Sequence, residues 1–446
     1  MIRQQVAIVI IVTAIITGCN NRSSLDRALE LAGDNRSELE AVLNHYSDNP
    51  EKLAAARFLI ENMPAHYSYV GNEIYQYYDY AALILANKEL TPEQQRDSLL
   101  AITDLKYRNL PNHTVPDAQI IKADFLIDNI DKSYAQWTTC PWASQVTFDE
   151  YLEWMLPYKA VELQELDHWR DTLLAYFGTG LEHPIKNDVE YNTTMGVADM
   201  IRNDANNRLH RYGLYTRAGL PLLSAYLQAH QTYGNIPDYA LTAVLAFRSA
   251  GIPSVLDETP VGSRGTAATR WFVIISDRGE QLPSEWDLST IIGGGFFPYE
   301  RGPKVYRNTY AINKEREQYK RKAKFQYPFE LAREDVTSQY FLTSDISIPI
   351  ERAVRKHLKD KYVYIASAVR SNEHPWKIVD FGIIKHGKAC FHDMGREVLY
   401  TVMGYDGNTL IQISDPFILH KDQRIEYING DTISSPSLDK WKNNTL

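Results

Sequence analysis

The sequence predicts an α+β protein in three successive parts: an N-terminal helical region, a central unit in which helices give way to strands, and a C-terminal β-sandwich. Three observations carry that expectation. From Ser24 to about Phe177, apolar residues recur at helical spacing behind recognisable cap signals. From about Met195 to Tyr310 the order becomes helix and then strand, as in an α+β unit. From about Asp335 short β-rich runs alternate with turn signals. A chain of 446 residues has room for two or three domains. The boundaries expected are a leader over 1–18, the helical region over 19–177, the central domain over 178–320 and the β-sandwich over 335–446.

In the helical region, Leu25, Leu29 and Leu31 open the first amphipathic stretch, and Asn35 followed by Glu38 predicts a capped start. Pro50 to Met63 carries Leu53, Ala56, Leu59 and Ile60 at helical spacing. Thr91-Pro92-Glu93-Gln94 places Thr at the cap, Pro at the first helical position and Gln where it reaches back. Thr147 and Glu150 repeat the capping box ahead of Tyr151, Leu152, Trp154 and Met155. In the central unit two helices are expected, Leu220 to Tyr233 and Pro237 to Ala250. Gly251 terminates the second and Pro253 prevents its continuation. Strands follow over Ser254–Asp257 and Thr269–Ile275, and Asp277 lies in a hairpin turn. Gly293 to Tyr299 reads as a loop. The C-terminal runs are Tyr340–Leu342, Ile346–Ile348, Tyr362–Ala366, Ile378–Ile384, Glu397–Val402 and Thr409–Gln412, separated by Lys385-His386-Gly387-Lys388 and Asp406-Gly407-Asn408.

Composition narrows the function. Hydrophobic residues make up 44% and charged residues 23%, as in globular proteins. The formal charge of −9 argues against a nucleic-acid partner, whose backbone requires basic patches. The basic run Lys314 to Lys324 is broken by Glu315 and Glu317 and is read as a solvated connector. Cys140, in a loop, and Cys390, in a C-terminal strand, are read as two lone thiols. No CxxC, HxxxH or HExxH spacing occurs, so neither metal nor cofactor is expected.

The most informative stretch runs from Gly234 to Trp271. It holds Gly234-Asn235-Ile236-Pro237-Asp238, a helical run ending Arg248-Ser249-Ala250-Gly251-Ile252-Pro253, then Gly262-Ser263-Arg264 and the strand Thr269-Arg270-Trp271. This resembles the transglutaminase-like superfamily, which shares the papain-type cysteine fold. There a Gly-x-Cys-x-Asp turn opens a helix closing on Arg-x-x-Gly-Ile-Pro, and a His-x-Trp strand supplies the base. On that resemblance the nucleophile position is Ile236, the base position is Thr269, and Asp287 is the third, orienting position. Isoleucine supplies no thiolate and threonine shuttles no proton near neutral pH. The resemblance therefore implies a degenerate member, a pseudoenzyme without its Cys and His. Asp238, Arg264, Trp271 and His230 are the residues expected to line a surviving binding cleft. Their alternative roles are structural: a helix cap, an ion pair and core packing. The aromatic clusters Tyr75–Tyr80 and Phe296–Tyr299 suit a glycan or a peptide, and equally suit ordinary packing. A second reading is an active hydrolase or acyltransferase with relocated residues, Ser263, Ser224 or Ser284 acting with His230. No GxSxG elbow accompanies it.

The N-terminus sets the expected location. Arg3 precedes the apolar run Val6 to Ile16, eleven residues, too short for a bilayer about 30 Å thick and suited to a secretory leader. It ends Ile16-Thr17-Gly18-Cys19, which resembles a bacterial lipobox. That implies cleavage before Cys19, acylation of its thiol and amine, and an envelope protein held on a membrane, the outer membrane of a Gram-negative cell. Which face it occupies and its oligomeric state are left open by the sequence.

Overall fold

The structure, a computed structural model, describes residues 23–105, 113–178, 181, 193–208, 212–213, 224–225, 227, 233–234, 236–262, 265–266, 268–276, 278–284, 301–371 and 374–428. It is a mixed helix-and-sheet protein whose C-terminal part is a curled, strand-rich sheet.

The first part is helical: α1 (Ser24–Leu31), α2 (Arg36–His45) and α3 (Pro50–Asn62), then β1 (Tyr67–Tyr69), α4 (Asn72–Ala86), α5 (Pro92–Leu105), β2 (Thr114–Pro116), α6 (Ala123–Thr139), α7 (Phe148–Trp154) and α8 (Trp169–Phe177). The capping boxes form as the residue types dictate. Thr91 and Gln94 exchange hydrogen bonds of 2.8 and 3.3 Å at the start of α5. Thr147 and Glu150 do so at α7, at 2.8 and 3.3 Å. Asn35 departs from expectation. Its amide makes no cap bond and instead donates to the Ala118 and Ile121 carbonyls at 3.0 and 2.7 Å. Buried side-chain donors are drawn to buried carbonyls that lack a partner, and a tertiary bond here displaces the local one. Leu39, Val42, Leu59, Ile60, Leu126 and Ile130 form the core of this region.

The central part continues through α9 (Thr194–Arg208), β3 (Tyr212–Gly213), β4 (Tyr233–Gly234), α10 (Ile236–Ser249), β5 (Ser254–Thr259), β6 (Thr269–Ile275), β7 (Gln281–Ser284) and β8 (Tyr306–Asn308). From Ala240 to Ala250 every residue of α10 and its end is buried, so the helix is enclosed on all sides and sits between α8 and the sheet. The sheet is antiparallel, in the order β7-β6-β5-β8, with one further strand beside β8. That strand is β9 (Arg333–Asp335), which lies beyond the expected boundary at 320.

Between β8 and β9 runs α11 (Lys314–Lys322), where a solvated connector was expected. It is capped by Asn313, whose side chain accepts from Glu315 N and Arg316 N at 3.0 and 3.1 Å. Arg316 and Tyr319 are buried, with Arg316 over the Tyr306 ring and Tyr319 stacked on Phe381 at 4.4 Å. The charged residues of the run are the outer face of an amphipathic helix, and its inner face covers the C-terminal sheet.

That sheet corrects the expected β-sandwich. After α12 (Thr337–Tyr340), a short helix where the Tyr340 run predicted a strand, come β10 (Thr343–Pro349), α13 (Arg352–His357), β11 (Tyr362–Ala368), β12 (Trp376–Lys385), β13 (Lys388–Gly395), β14 (Val398–Tyr405), β15 (Leu410–Gln412), β16 (Phe417–Leu419) and β17 (Ile425–Tyr427). All eight strands belong to one antiparallel sheet, order β10-β13-β12-β11-β14-β16-β17, with β15 also on β14. Its concave face encloses Ile348, Val363, Ile365, Phe391, Val402 and Phe417, together with Val261 from the loop after β5. Its other face carries Tyr362, Tyr364 and Phe381 beneath α11. All of β11 is buried as a result.

Candidate functional site

The positions that the sequence resemblance singled out lie on a helix, a turn and a hairpin. Ile236 is the first residue of α10 and Thr269 the first of β6. Gly251 ends α10 with φ +82°, the left-handed conformation that favours glycine. A Cβ there would meet Cys140 Sγ at 3.0 Å. The chain then reverses, and Arg248 Nε donates to Ser254 O at 3.0 Å while Ser254 Oγ donates to Val244 O at 3.1 Å. The β5–β6 hairpin runs back along the helix, with Phe247 against Phe272 of β6 at 5.4 Å. Thr259 pairs with Thr269 at the far end of β5. Fourteen helical residues span about 21 Å and six strand residues about 20 Å. The reversal thus returns Thr269 to the end of the unit at which α10 begins.

Trp271 is 3% exposed. Its indole donates to Tyr340 Oη at 3.0 Å, and Tyr340 donates to Asp257 at 2.6 Å. Asp257, fully buried, takes a two-pronged bond from Arg307 at 2.9 and 2.8 Å. Trp271 serves packing between the sheet and α12, not a cleft wall. Thr269 is half-buried. Asp238 lies in the first turn of α10, with its side chain, like that of Ile236, outside the described residues. Cys19, His230, Ser263, Arg264, Asp277, Asp287, the 293–299 loop and most of the expected 220–233 helix also lie outside them. Cys140 and Cys390 are both free thiols. No group of His, Cys, Asp and Glu among the described residues is arranged to hold a metal, and no described helix is long and apolar enough to cross a membrane.

A second site emerges at the other end of α10, and of its residues the sequence singled out only Arg248, the first of the Arg-x-x-Gly-Ile-Pro run. His66 is buried, with Nδ1 2.5 Å from Glu162 Oε1 and Nε2 donating to Tyr310 O at 2.9 Å. Burial disfavours the charged imidazole, but the Glu162 carboxylate outweighs it and the His66 pKa is raised. For Glu162 burial acts upward and the His66 charge prevails, leaving it lowered. Beside this pair, Lys159 Nζ lies 2.5 Å from Asp117 and donates to Tyr67 O at 3.0 Å and Ser68 Oγ at 3.3 Å. Ser68 and Tyr158 also donate to Asp117, at 2.6 and 2.9 Å. Arg248 reaches Lys159 O at 3.3 Å from the last turn of α10, and burial lowers its pKa to about 10. Burial pushes Glu153 up to about 7, against amide bonds from Tyr310 and Ala311.

The cleft here is lined by His66, Lys159, Glu162, Asn308, Thr309 and Glu330 and has room for about one water molecule, so it is too small for a glycan chain. Both nitrogens of His66 are engaged, all three Lys159 donors have acceptors, and the Ser68 hydroxyl donates to a carboxylate. The arrangement is that of a charge-balanced joint, without an unengaged base or nucleophile among these residues. It fastens the helical region to the segment after β8. Its members come from positions 66 to 68, 117, 153 to 162, 248 and 310, and the local hints are the Arg-x-x-Gly-Ile-Pro run at Arg248 and a charge inside an apolar run at Lys159.

Compared with protein-family models, with curated proteins and with solved structures, the chain matches none.

Proposed function

We propose that this is a lipid-anchored cell-envelope protein whose central unit is a degenerate transglutaminase-like domain, holding a glycan or peptide without processing it. The observation that carries the reading is the pairing of residue type with position. Ile236 stands first on α10 and Thr269 first on the hairpin strand that returns to it. A thiol enzyme requires its sulfur at such a helix start, where the dipole stabilises the thiolate, and its imidazole opposite. An alkyl group and a hydroxyl at those two places cannot replace them. With Trp271 packed in the core, ligand contact falls to Asp238, Arg264 and His230. The anchor rests on the leader and on Cys19.

The test uses mature protein carrying Cys19→Ser, titrated with cell-wall peptides and glycan fragments and incubated with glutamine peptides and simple esters. Saturable binding weakened by Asp238→Ala, with no product above a matched blank, is the expected result. Turnover abolished by one cleft substitution overturns the non-catalytic reading, and loss through His230→Ala points to the relocated site. In cells, Cys19→Ser should release the protein from membranes. Unchanged fractionation with normal processing removes acylation as the anchor.

A further inference from the structure

One end of the C-terminal sheet concentrates positive charge in a chain that is negative as a whole. The strand register defines that end. Pro349 of β10 pairs with Lys388 of β13, Lys385 of β12 pairs with Lys388, and Tyr362 of β11 pairs with Ile383. The connections leaving there are α13, the loop to β11 and the 385–388 hairpin. Arg352, Arg355 and Lys356 are exposed on α13. Lys359 and Lys361 are exposed in the loop that follows, and Lys385 and Lys388 flank the hairpin turn.

These connections touch. Ile350 N donates to Gly387 O at 3.0 Å, and a Cβ on Gly387 would lie 3.0 Å from Arg355 Nη1. Lys324 N donates to Asp360 at 2.5 Å, which brings in the exposed end of α11 with Arg321 and Lys322. None of these ten cations forms an ion pair with a described residue, although ion pairs recur elsewhere in the protein. The carboxylates near these cations are Glu315 on α11, Glu351, Asp360 and, in the turn after β14, Asp406. Asp360 also accepts from Tyr362 N at 3.1 Å, and Asp406 accepts from its own turn at 2.7 and 2.9 Å. The balance of the surface is strongly positive.

The opposite end of the sheet faces the rest of the molecule. There Gly395 N donates to Pro303 O at 3.2 Å, and Arg370 N to Gly265 O at 2.9 Å. The basic end therefore points away from the central unit. Five adjacent strands feed it, β10, β13, β12, β11 and β14, which makes it about 20 Å across. A surface that wide, with cations spread over several connections, suits an extended array of anions more than one small anion. None of the large apolar side chains exposed among the described residues lies on it, so it offers no stacking platform for single-stranded nucleic acid.

We propose that this basic end of the C-terminal sheet is an electrostatic docking surface for the phosphate headgroups of an anionic lipid bilayer. Clusters of four to eight Lys and Arg bind such surfaces, each adding attraction that fades within a Debye length. The negative remainder of the protein is repelled, which orients the molecule with this end down. The contact does not depend on acylation of Cys19 or on the occupancy of the central unit.

The experiment uses the chain with Cys19→Ser, so that hydrocarbon anchoring is absent, in flotation with vesicles. The vesicles are phosphatidylcholine alone or with about one-third phosphatidylglycerol. The expected result is flotation with the anionic vesicles at about 50 mM NaCl, loss at about 500 mM, and none with neutral vesicles. Lys356→Glu/Lys359→Glu/Lys385→Glu/Lys388→Glu should weaken partition at least about tenfold. Gln at the same four positions should weaken it less, and Arg321→Glu/Lys322→Glu should reproduce part of the loss. Equal binding to both vesicle types, no binding to anionic vesicles at low salt, or indifference to all three variants overturns the proposal. Capture of soluble polyphosphate without vesicle binding overturns the assignment to a lipid surface.

Discussion

Replacing Gly251 by Ala tests the turn on which the central unit depends. Two costs are legible. At φ +82° an L residue pays the left-handed penalty, about 1–2 kcal/mol. The new methyl would also lie 3.0 Å from Cys140 Sγ, 3.3 Å from Cys140 Cβ and 3.4 Å from Gln136 Oε1. Forcing atoms into such a site costs about 1–3 kcal/mol, so Gly251→Ala should destabilise the unit by about 2–5 kcal/mol. The two terms separate in a double-mutant cycle. Cys140→Ala removes the sulfur and leaves φ untouched, so in that background the glycine substitution should cost at least about 1 kcal/mol less. Native-state hydrogen exchange of the 252–259 amides is the suitable assay, because it reports the local opening of β5 in a chain of several cooperative parts. A single-mutant cost below about 0.5 kcal/mol would refute the conformational argument, and a coupling within about 0.3–0.5 kcal/mol of zero would refute the steric one.

Three further outcomes are expected. Asp257→Ala strands the buried Arg307 guanidinium and should cost about 3–5 kcal/mol, with most of the loss recovered in Asp257→Ala/Arg307→Met; thermal unfolding of the two variants decides it. The joint at Tyr310 should weaken as pH rises. Glu153, raised to about 7, and His66, raised above its usual value, both bind protons more tightly folded than unfolded. Their stabilising contributions are complete below about pH 4.5 and 6.5 and fall as pH passes the folded values, whereas that of Glu162, lowered, is lost as pH falls below about 4.5. Exchange of the Tyr310–Ile312 amides between pH 5 and 8 should quicken beyond its intrinsic pH dependence, and Glu153→Gln should flatten that excess; a slope unchanged by the substitution refutes it. Burial pushes the Cys140 thiol up to about 12, so it should resist iodoacetamide at about pH 8 until denaturant is added; prompt alkylation in native protein refutes it.

How much of this was legible in the sequence depends on the range over which each feature is decided. The caps at Thr91 and Thr147 involve residues three apart, and both form as expected. Gly251 terminates α10 because its backbone alone tolerates the angle that Ile252 and Pro253 require after it. The positions of Ile236 at a helix start and of Thr269 at a strand start follow from the same local grammar. Asn35 marks the limit: its sequence neighbours favour a cap, and two carbonyls more than 80 residues away take its amide instead.

The sequence by itself determined the caps at Thr91 and Thr147, the end of α10 at Gly251 and the strand starts at Ser254 and Thr269, because those choices rest on backbone angles and on neighbours a few residues apart. Only the tertiary structure decided that the C-terminal strands form one curled sheet, since alternation and turn spacing are the same whether strands pair within one sheet or stack as two. It also decided that the run Lys314–Lys322 is a helix covering that sheet, because burial of Arg316 and Tyr319 depends on Tyr306 and Phe381 arriving from other strands. The joint at His66 and the basic end of the sheet are likewise products of the fold. Each gathers charges from distant segments, and electrostatic energy depends on separation in space, which residue order along the chain does not specify.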